Sequence, residues 1–224
     1  MNILTQNAKM KKSSQNGIDV YNFGIPAFLS ETGLKTCPQA GACVSGCYAR
    51  SGTYRFKNSI NAYEERLKLT QNKSFIDIMS AEVNLKYLKS QAKGNKCLIR
   101  IHDSGDFYSE KYAMDWFLIM EQNPNVSFYA YTKMVQMFEQ LADLNFRQSN
   151  FRLIYSYGGK QDSQIDTNRH WHSKVFQNEI DLLNAGYTDA TQDDLIAALG
   201  PNKRIGLIYH GVKGYNKTAW NKVS

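Results

Sequence analysis

The sequence predicts an α/β protein, a single domain whose mostly parallel sheet forms a partial (β/α) barrel. Three observations lead there. From residue 94 onward, short runs rich in Ile, Leu, Val and Tyr alternate with stretches of helical periodicity, as in consecutive right-handed βαβ units. Polar, glycine-containing turns follow the ends of the expected strands, and in parallel α/β folds ligands bind at that rim. The chain has no repeat, low-complexity tract or linker that would divide it.

Taken in order, residues 1–16 are polar and carry Lys9, Lys11 and Lys12, which suggests a loosely held basic arm ahead of a domain spanning 17–224. A first strand is expected over 19–26. Residues 58–90 read helical, with Ile60, Tyr63, Leu67, Phe75, Ile78, Met79 and Val83 at three- and four-residue spacing. Asn72-Lys-Ser74 divides that stretch into two helices, and Ser74 is a suitable N-cap for the second. Strands at 97–102, 126–132 and 151–156 then alternate with helices at 109–122 and 134–143. Helical patterns at 174–184 and 191–199 precede a last strand at 204–210.

The 224 residues suffice for one well-buried core, and 42% apolar content with 14 Tyr and 11 Phe fits a folded globule. No apolar run approaches the ~20 residues that span a bilayer, and the first residues lack the apolar core of a secretory signal. A cytoplasmic protein without a membrane partner is therefore expected. There thiols stay reduced, and clustered cysteines bind metal more often than they pair. The formal charge of +7 favours a polyanionic partner or an anionic ligand, although no dense Lys/Arg block is present.

Three of the four cysteines, Cys37, Cys43 and Cys47, share one short loop with the spacing C-x5-C-x3-C. A closed zinc site usually takes four ligands in two short-spaced pairs, whereas three thiolates in one loop leave a coordination position for chemistry. Gly41, Ala42 and Gly46 let the loop fold around a bulky group and turn its N–H groups toward sulfur. The ligand would be an iron–sulfur cluster, with zinc as the alternative. The fourth, Cys97, opens a strand at the far end of the sheet and reads as a buried thiol.

Other residues with chemical potential end strands. His102 and Asp103, with Asp106, offer an acid/base pair or a divalent-metal site; Ser104 or Asp106 would equally serve to cap the helix beginning near Ser109. Lys133 and Ser156 are placed to bind a carboxylate or hydroxyls, and His210 ends the last strand on the same rim. His170 and His172 share a face only if the backbone is extended, so packing or surface roles are expected for them. Tyr129, Tyr131, Tyr155, Tyr157 and Tyr209 should line the core or barrel, with one or two reaching a ligand.

The run Cys37-Pro-Gln-Ala-Gly-Ala-Cys-Val-Ser-Gly-Cys-Tyr-Ala49, with Gly52-Thr-Tyr-Arg-Phe56, Arg100-Ile-His-Asp-Ser-Gly-Asp-Phe107 and Phe128-Tyr-Ala-Tyr-Thr-Lys133, resembles the phage gene product 88 family over about residues 20–213. That family brings no settled activity with it. The order strand, three cysteines, helix, strand, Ser104-Gly105-Asp106 is also similar to radical S-adenosylmethionine (SAM) enzymes. Their three-cysteine loop is C-x3-C-x2-C, and their turn has two glycines and a glutamate. The similarity implies a [4Fe–4S] cluster on Cys37, Cys43 and Cys47, with SAM on its open iron and against Ser104-Gly105-Asp106. The expectation is a phage-encoded enzyme in the host cytoplasm acting on a small-molecule or nucleic-acid substrate. Two alternatives remain: a metal-dependent hydrolase or nuclease using His102, Asp103, Asp106 and His210, or a non-catalytic basic metal-binding protein that binds nucleic acid or a host factor.

Overall fold

The computed structural model describes residues 3–209. Seven parallel strands form one sheet in the order β1-β2-β3-β4-β5-β7-β6, curved into a half-barrel with helices packed around it. The strands are β1 (Ile18–Phe23), β2 (Lys96–Ile101), β3 (Ser127–Thr132), β4 (Phe151–Ser156), β5 (His172–Phe176), β6 (Thr188–Asp189) and β7 (Arg204–Ile208). The helices are α1 (Ala8–Ser13), α2 (Lys57–Thr70), α3 (Phe75–Gln91), α4 (Glu110–Gln122), α5 (Val135–Asp143), α6 (Glu179–Asn184) and α7 (Asp194–Leu199).

The central strands are buried on both faces, as parallel strands with covered faces must be. One face of β2 presents Cys97, Ile99 and Ile101 to a core built with Phe75 and Val83 of α3 and Trp116 and Met120 of α4. Cys97 is a buried thiol in that core, as expected. The opposite, inner face carries Val20, Leu98, Tyr129, Ile154 and Ile205, which pack with Met10 of α1 and with Ala197 and Ala198 of α7. The two short helices thus fill part of the half-barrel interior, and the remaining interior is open toward the carboxyl ends of the strands.

Four expectations are corrected. The first residues are not a loose arm: Leu4 and Met10 are buried, Thr5 pairs antiparallel with Asn22, and the Asn7 side chain caps α1 by accepting from Met10 N. Two apolar anchors among the lysines suffice to hold the segment. Residues 172–176 form a strand where helix was expected from 174, and β5 pairs with both β4 and β7. The helical spacing there was misleading, since Ile180 and Leu183 are 71% and 57% exposed; α6 starts only after the Asn178 cap. The helix expected over 191–199 begins at Asp194, preceded by the short edge strand β6. At α3, Ser74 stands at the cap position but makes no side-chain cap; its N–H donates to Asn72 Oδ1 instead.

Candidate functional site

The segment after β1 crosses the carboxyl end of the sheet and is pinned at two places. Thr36 N donates to Phe28 O, and Thr36 Oγ1 donates to Pro26 O at 2.6 Å. Further on, Gly41 N and Cys43 N both donate to Gly158 O, and Lys160 N donates to Gln39 O. The cysteine loop is thereby laid against the turn that follows β4. That close approach requires glycine: a Cβ on Gly41 would lie 3.0 Å from Gly159 C, and one on Gly159 would lie 3.0 Å from Gln39 O. Asp162 fixes the turn from below, its Oδ2 and Oδ1 accepting from Gly158 N and Gly159 N at 2.8 and 2.9 Å.

Cys37, Cys43 and Cys47 are half-buried and line one cavity of about 200 Å³. The amides of Gly41 and Cys43 point at Gly158 rather than at sulfur; the amides that reach thiols are Phe28 N, 3.3 Å from Cys37 Sγ, and Ala49 N toward Cys47. Burial, reinforced by the nearby Asp106 carboxylate, pushes the Cys37 thiol up to about 12, with the Phe28 amide pulling it back. Burial also raises Cys47, while the Ala49 amide, Lys133 and Arg50 pull it the other way.

The expected strand-end residues line the same cavity: His102, Asp103, Ser104, Gly105, Asp106, Lys133 and Ser156. Their side chains divide into different tasks. Asp106 is buried, its Oδ1 accepting from Phe107 N and Thr132 Oγ1 and its Oδ2 from Lys133 N. It therefore clasps the ends of β2 and β3. It does not cap α4, whose cap is Ser109, accepting from Tyr112 N. Lys133 Nζ donates to Ser156 O, Ser156 Oγ and Tyr157 O at 3.1, 2.9 and 3.1 Å, so it closes the gap between β3 and β4 and keeps its charge beside Cys47. Ser104 is buried with its hydroxyl unpartnered.

His102 adopts φ 67° and is buried. Its Nε2 shares a 2.9 Å hydrogen bond with Tyr112 Oη, and its ring meets Phe107 edge-on at 4.7 Å. Burial, reinforced by Arg100, holds its pKa down to about 3, so it is a neutral imidazole at physiological pH. Asp103 Oδ2 accepts from Tyr63 at 3.1 Å and Tyr54 at 3.4 Å, and burial raises its pKa. Among the described residues no three His, Cys, Asp or Glu side chains converge closely enough for a single metal ion. Among the described residues His102 bonds Tyr112, Asp103 accepts from Tyr54 and Tyr63, and Asp106 accepts from Phe107, Thr132 and Lys133. His210 lies outside the described residues.

His170 and His172 are packing residues away from the cavity. His170 faces Glu139 and the Tyr155 ring, and the His172 ring lies between Tyr157 and Tyr187. Of the tyrosines singled out, Tyr131 and Tyr209 line the cavity. Sequence reasoning missed Tyr48 and Arg100 as lining residues. Arg100 had a legible signal: it is a charged residue on the inward face of an otherwise apolar strand, in register with Asn22 and Tyr129.

No helix among the described residues is long and apolar enough to cross a membrane. No solved structure matches the chain. A gene 88 protein of Mycobacterium phage L5 is 27% identical over 161 residues, covering 70% of this chain and 62% of that protein, less than two thirds of its length. The family model for gene product 88 matches residues 1–220, with the cysteine loop and every strand within that span. The chain belongs to the gene product 88 family.

Proposed function

We propose that this chain is a phage-encoded iron–sulfur protein, a radical-SAM-like enzyme whose Cys37, Cys43 and Cys47 hold a [4Fe–4S] cluster. The observation that carries the reading is that all three loop cysteines line a single cavity at the carboxyl end of a parallel half-barrel, with Ser104, Gly105 and Asp106 in the same wall. The donor set fits the group. Three soft sulfur ligands suit iron, and each thiolate of a cubane binds a different iron. Amides from Phe28 and Ala49 reach Cys37 and Cys47, and Lys133 and Arg50 offset negative charge near Cys47.

When bound, such a cluster supplies an electron for reductive cleavage of SAM. The chain's own residues position and enclose. Asp106 and Lys133 lock the strand ends that carry the wall, and Asp162 holds the turn on which the loop rests. The Ser104 hydroxyl and the backbone of Ser104–Asp106 are left to meet SAM, since the Asp106 carboxylate is fully engaged. His102 and Asp103 brace this wall through Tyr112 and through Tyr54 and Tyr63. The substrate is a small molecule or a nucleotide unit admitted to the cavity.

Anaerobic reconstitution with iron and sulfide tests the reading. A brown, reducible protein holding one [4Fe–4S] cluster per chain, with SAM perturbing its electron paramagnetic resonance, is expected. A colourless protein with stoichiometric zinc overturns it. The net charge of +7 favours a second reading, a non-catalytic metal-binding protein that associates with nucleic acid; salt-sensitive DNA or RNA binding without SAM affinity would favour that reading.

A further inference from the structure

Arg100 is the buried cation of the cavity. It sits on the inner face of β2 beside Tyr129 of β3, with 16% of its side chain exposed. Nη1 donates to Asp194 Oδ1 at 3.3 Å, and the Tyr131 ring centroid lies 5.4 Å from the guanidinium carbon. Nε is enclosed and makes no hydrogen bond among the described residues. A guanidinium has five N–H donors, and enclosed donors without acceptors are costly. A single contact at 3.3 Å is also longer than the ~2.7–2.9 Å of a good charge-assisted hydrogen bond.

Asp194 gives Arg100 one hydrogen bond. Its Oδ1 is shared between Arg100 and Lys9, each at 3.3 Å, while its Oδ2 makes no hydrogen bond among the described residues. Of the acids lining the cavity, Asp106 is engaged by Phe107, Thr132 and Lys133, and Asp103 accepts from Tyr54 and Tyr63 through Oδ2 alone, its Oδ1 making no hydrogen bond among the described residues. Lys133 adds a second cation to the lining, its hydrogens occupied by neutral oxygens. Tyr131, Val175 and Leu207 supply flat and apolar surface beside Arg100. About 200 Å³ admits a small molecule.

We propose that the cavity takes a small, flat, anionic substrate whose carboxylate or phosphate sits on the Arg100 guanidinium and whose apolar body lies against Tyr131, Val175 and Leu207. A planar guanidinium matches either anion with two parallel hydrogen bonds, and the site supplies a cation short of acceptors. The proposal rests on the cavity being the active site and names the substrate class for it; it does not depend on the cluster.

Calorimetric titration of the full chain with benzoate, phenyl phosphate and neutral benzyl alcohol tests this. At least one anion should bind at least tenfold more tightly than benzyl alcohol, and Arg100→Gln should lower that affinity at least tenfold. The ranking of benzoate against phenyl phosphate distinguishes carboxylate from phosphate. If Arg100→Gln fails to fold, Arg100→Gln combined with Asp194→Asn, which removes both charges of the pair, and Arg100→Lys, which keeps the charge but loses the fork, take its place. The proposal is overturned if neither anion binds, if benzyl alcohol binds as well, or if a folded Arg100 variant binds equally tightly. Titrating the Cys37→Ser, Cys43→Ser, Cys47→Ser triple variant separates the two ideas. Arg100-dependent binding that survives in this variant shows that the anion site stands apart from the cluster; a wild-type chain that binds the anion but takes up no cluster on reconstitution refutes the iron–sulfur reading alone, and a cluster without anion binding refutes the substrate class alone.

Discussion

The amide of Cys43 donates to the carbonyl of Gly158 at 3.1 Å, so the cysteine loop after β1 is held by the turn after β4. These two elements are separated by more than a hundred residues, and Gly41 and Gly159 leave little room for a Cβ where they meet. The position of Cys43 is therefore tied to the turn after the central strand, β4.

Replacing Gly159 with alanine should dislodge the loop. The new Cβ would lie 3.0 Å from Gln39 O and 3.1 Å from Lys133 Cβ, so the Gln39 carbonyl and Lys133 must each give by a few tenths of an ångström. Overpacking of this kind costs about 1–3 kcal/mol. Thermal unfolding should shift down by several degrees, and bound iron per chain should fall further than the stability loss explains. Wild-type iron content in a destabilised Gly159→Ala protein would show that the loop does not depend on this contact.

Asp162 acts one step behind. Its carboxylate accepts from both Gly158 N and Gly159 N, and Asp162→Ala leaves those amides without their acceptors, a loss of about 1–3 kcal/mol. Asp162→Asn keeps one carbonyl acceptor and should recover part of the stability and of the iron content. Chemical denaturation of the two variants checks the order; equal stability of Asp162→Ala and wild type would remove Asp162 from the support of the loop.

Much of this arrangement was legible in the sequence, because alternating apolar periodicity reports covered parallel strands, and the polar turns after them report the rim. The convergence of the cysteine loop with Ser104–Asp106, Lys133 and Ser156 follows from that order alone. β5 was hidden because Val175, Phe176, Ile180 and Leu183 imitate a helical stripe, and only pairing on both sides makes it a strand. α1 was hidden because its burial rests on Met10 and on Lys9 reaching Asp194, a contact 185 positions away in the chain. Asp106 looked like a ligand group, but its role as a clasp depends on Thr132 and Lys133, whose proximity no local pattern discloses.

Cys37 should be the slow thiol of the metal-free loop. Its pKa of about 12 against an ordinary 9.0 leaves about a thousandfold less thiolate near pH 8, and the thiolate is the nucleophile. Iodoacetamide labelling resolved by mass spectrometry should show Cys37 modified far more slowly than an unfolded control, with a rate still rising above pH 9. Because the folded chain retains this proton while the unfolded chain releases it, stability of the metal-free protein falls as pH rises from about 9 to about 12. A labelling rate that levels off near pH 9 contradicts the buried thiol.

His102 sets the acid side of the stability profile. Its folded pKa of about 3 lies below the ordinary 6.5, so between those values the unfolded chain binds a proton that the folded chain refuses. Stability contributed by the neutral imidazole is present above about 6.5 and is lost as pH falls toward 3, at about 1.4 kcal/mol per unit of separation. Asp103 and Asp106 oppose this, because burial raises both and the folded chain then holds protons more readily than the unfolded one. The histidine contribution is isolated by comparing wild type with His102→Gln, which can still hydrogen-bond Tyr112 but does not titrate. Urea denaturation at intervals from pH 7 to pH 4 should give a steeper acid decline in wild type and a flatter one in the variant, even if the variant starts lower. Parallel curves would mean that His102 gains its proton without unfolding the strand end, and that the aromatic surroundings of Phe107 and Tyr112 do not exclude the charged ring.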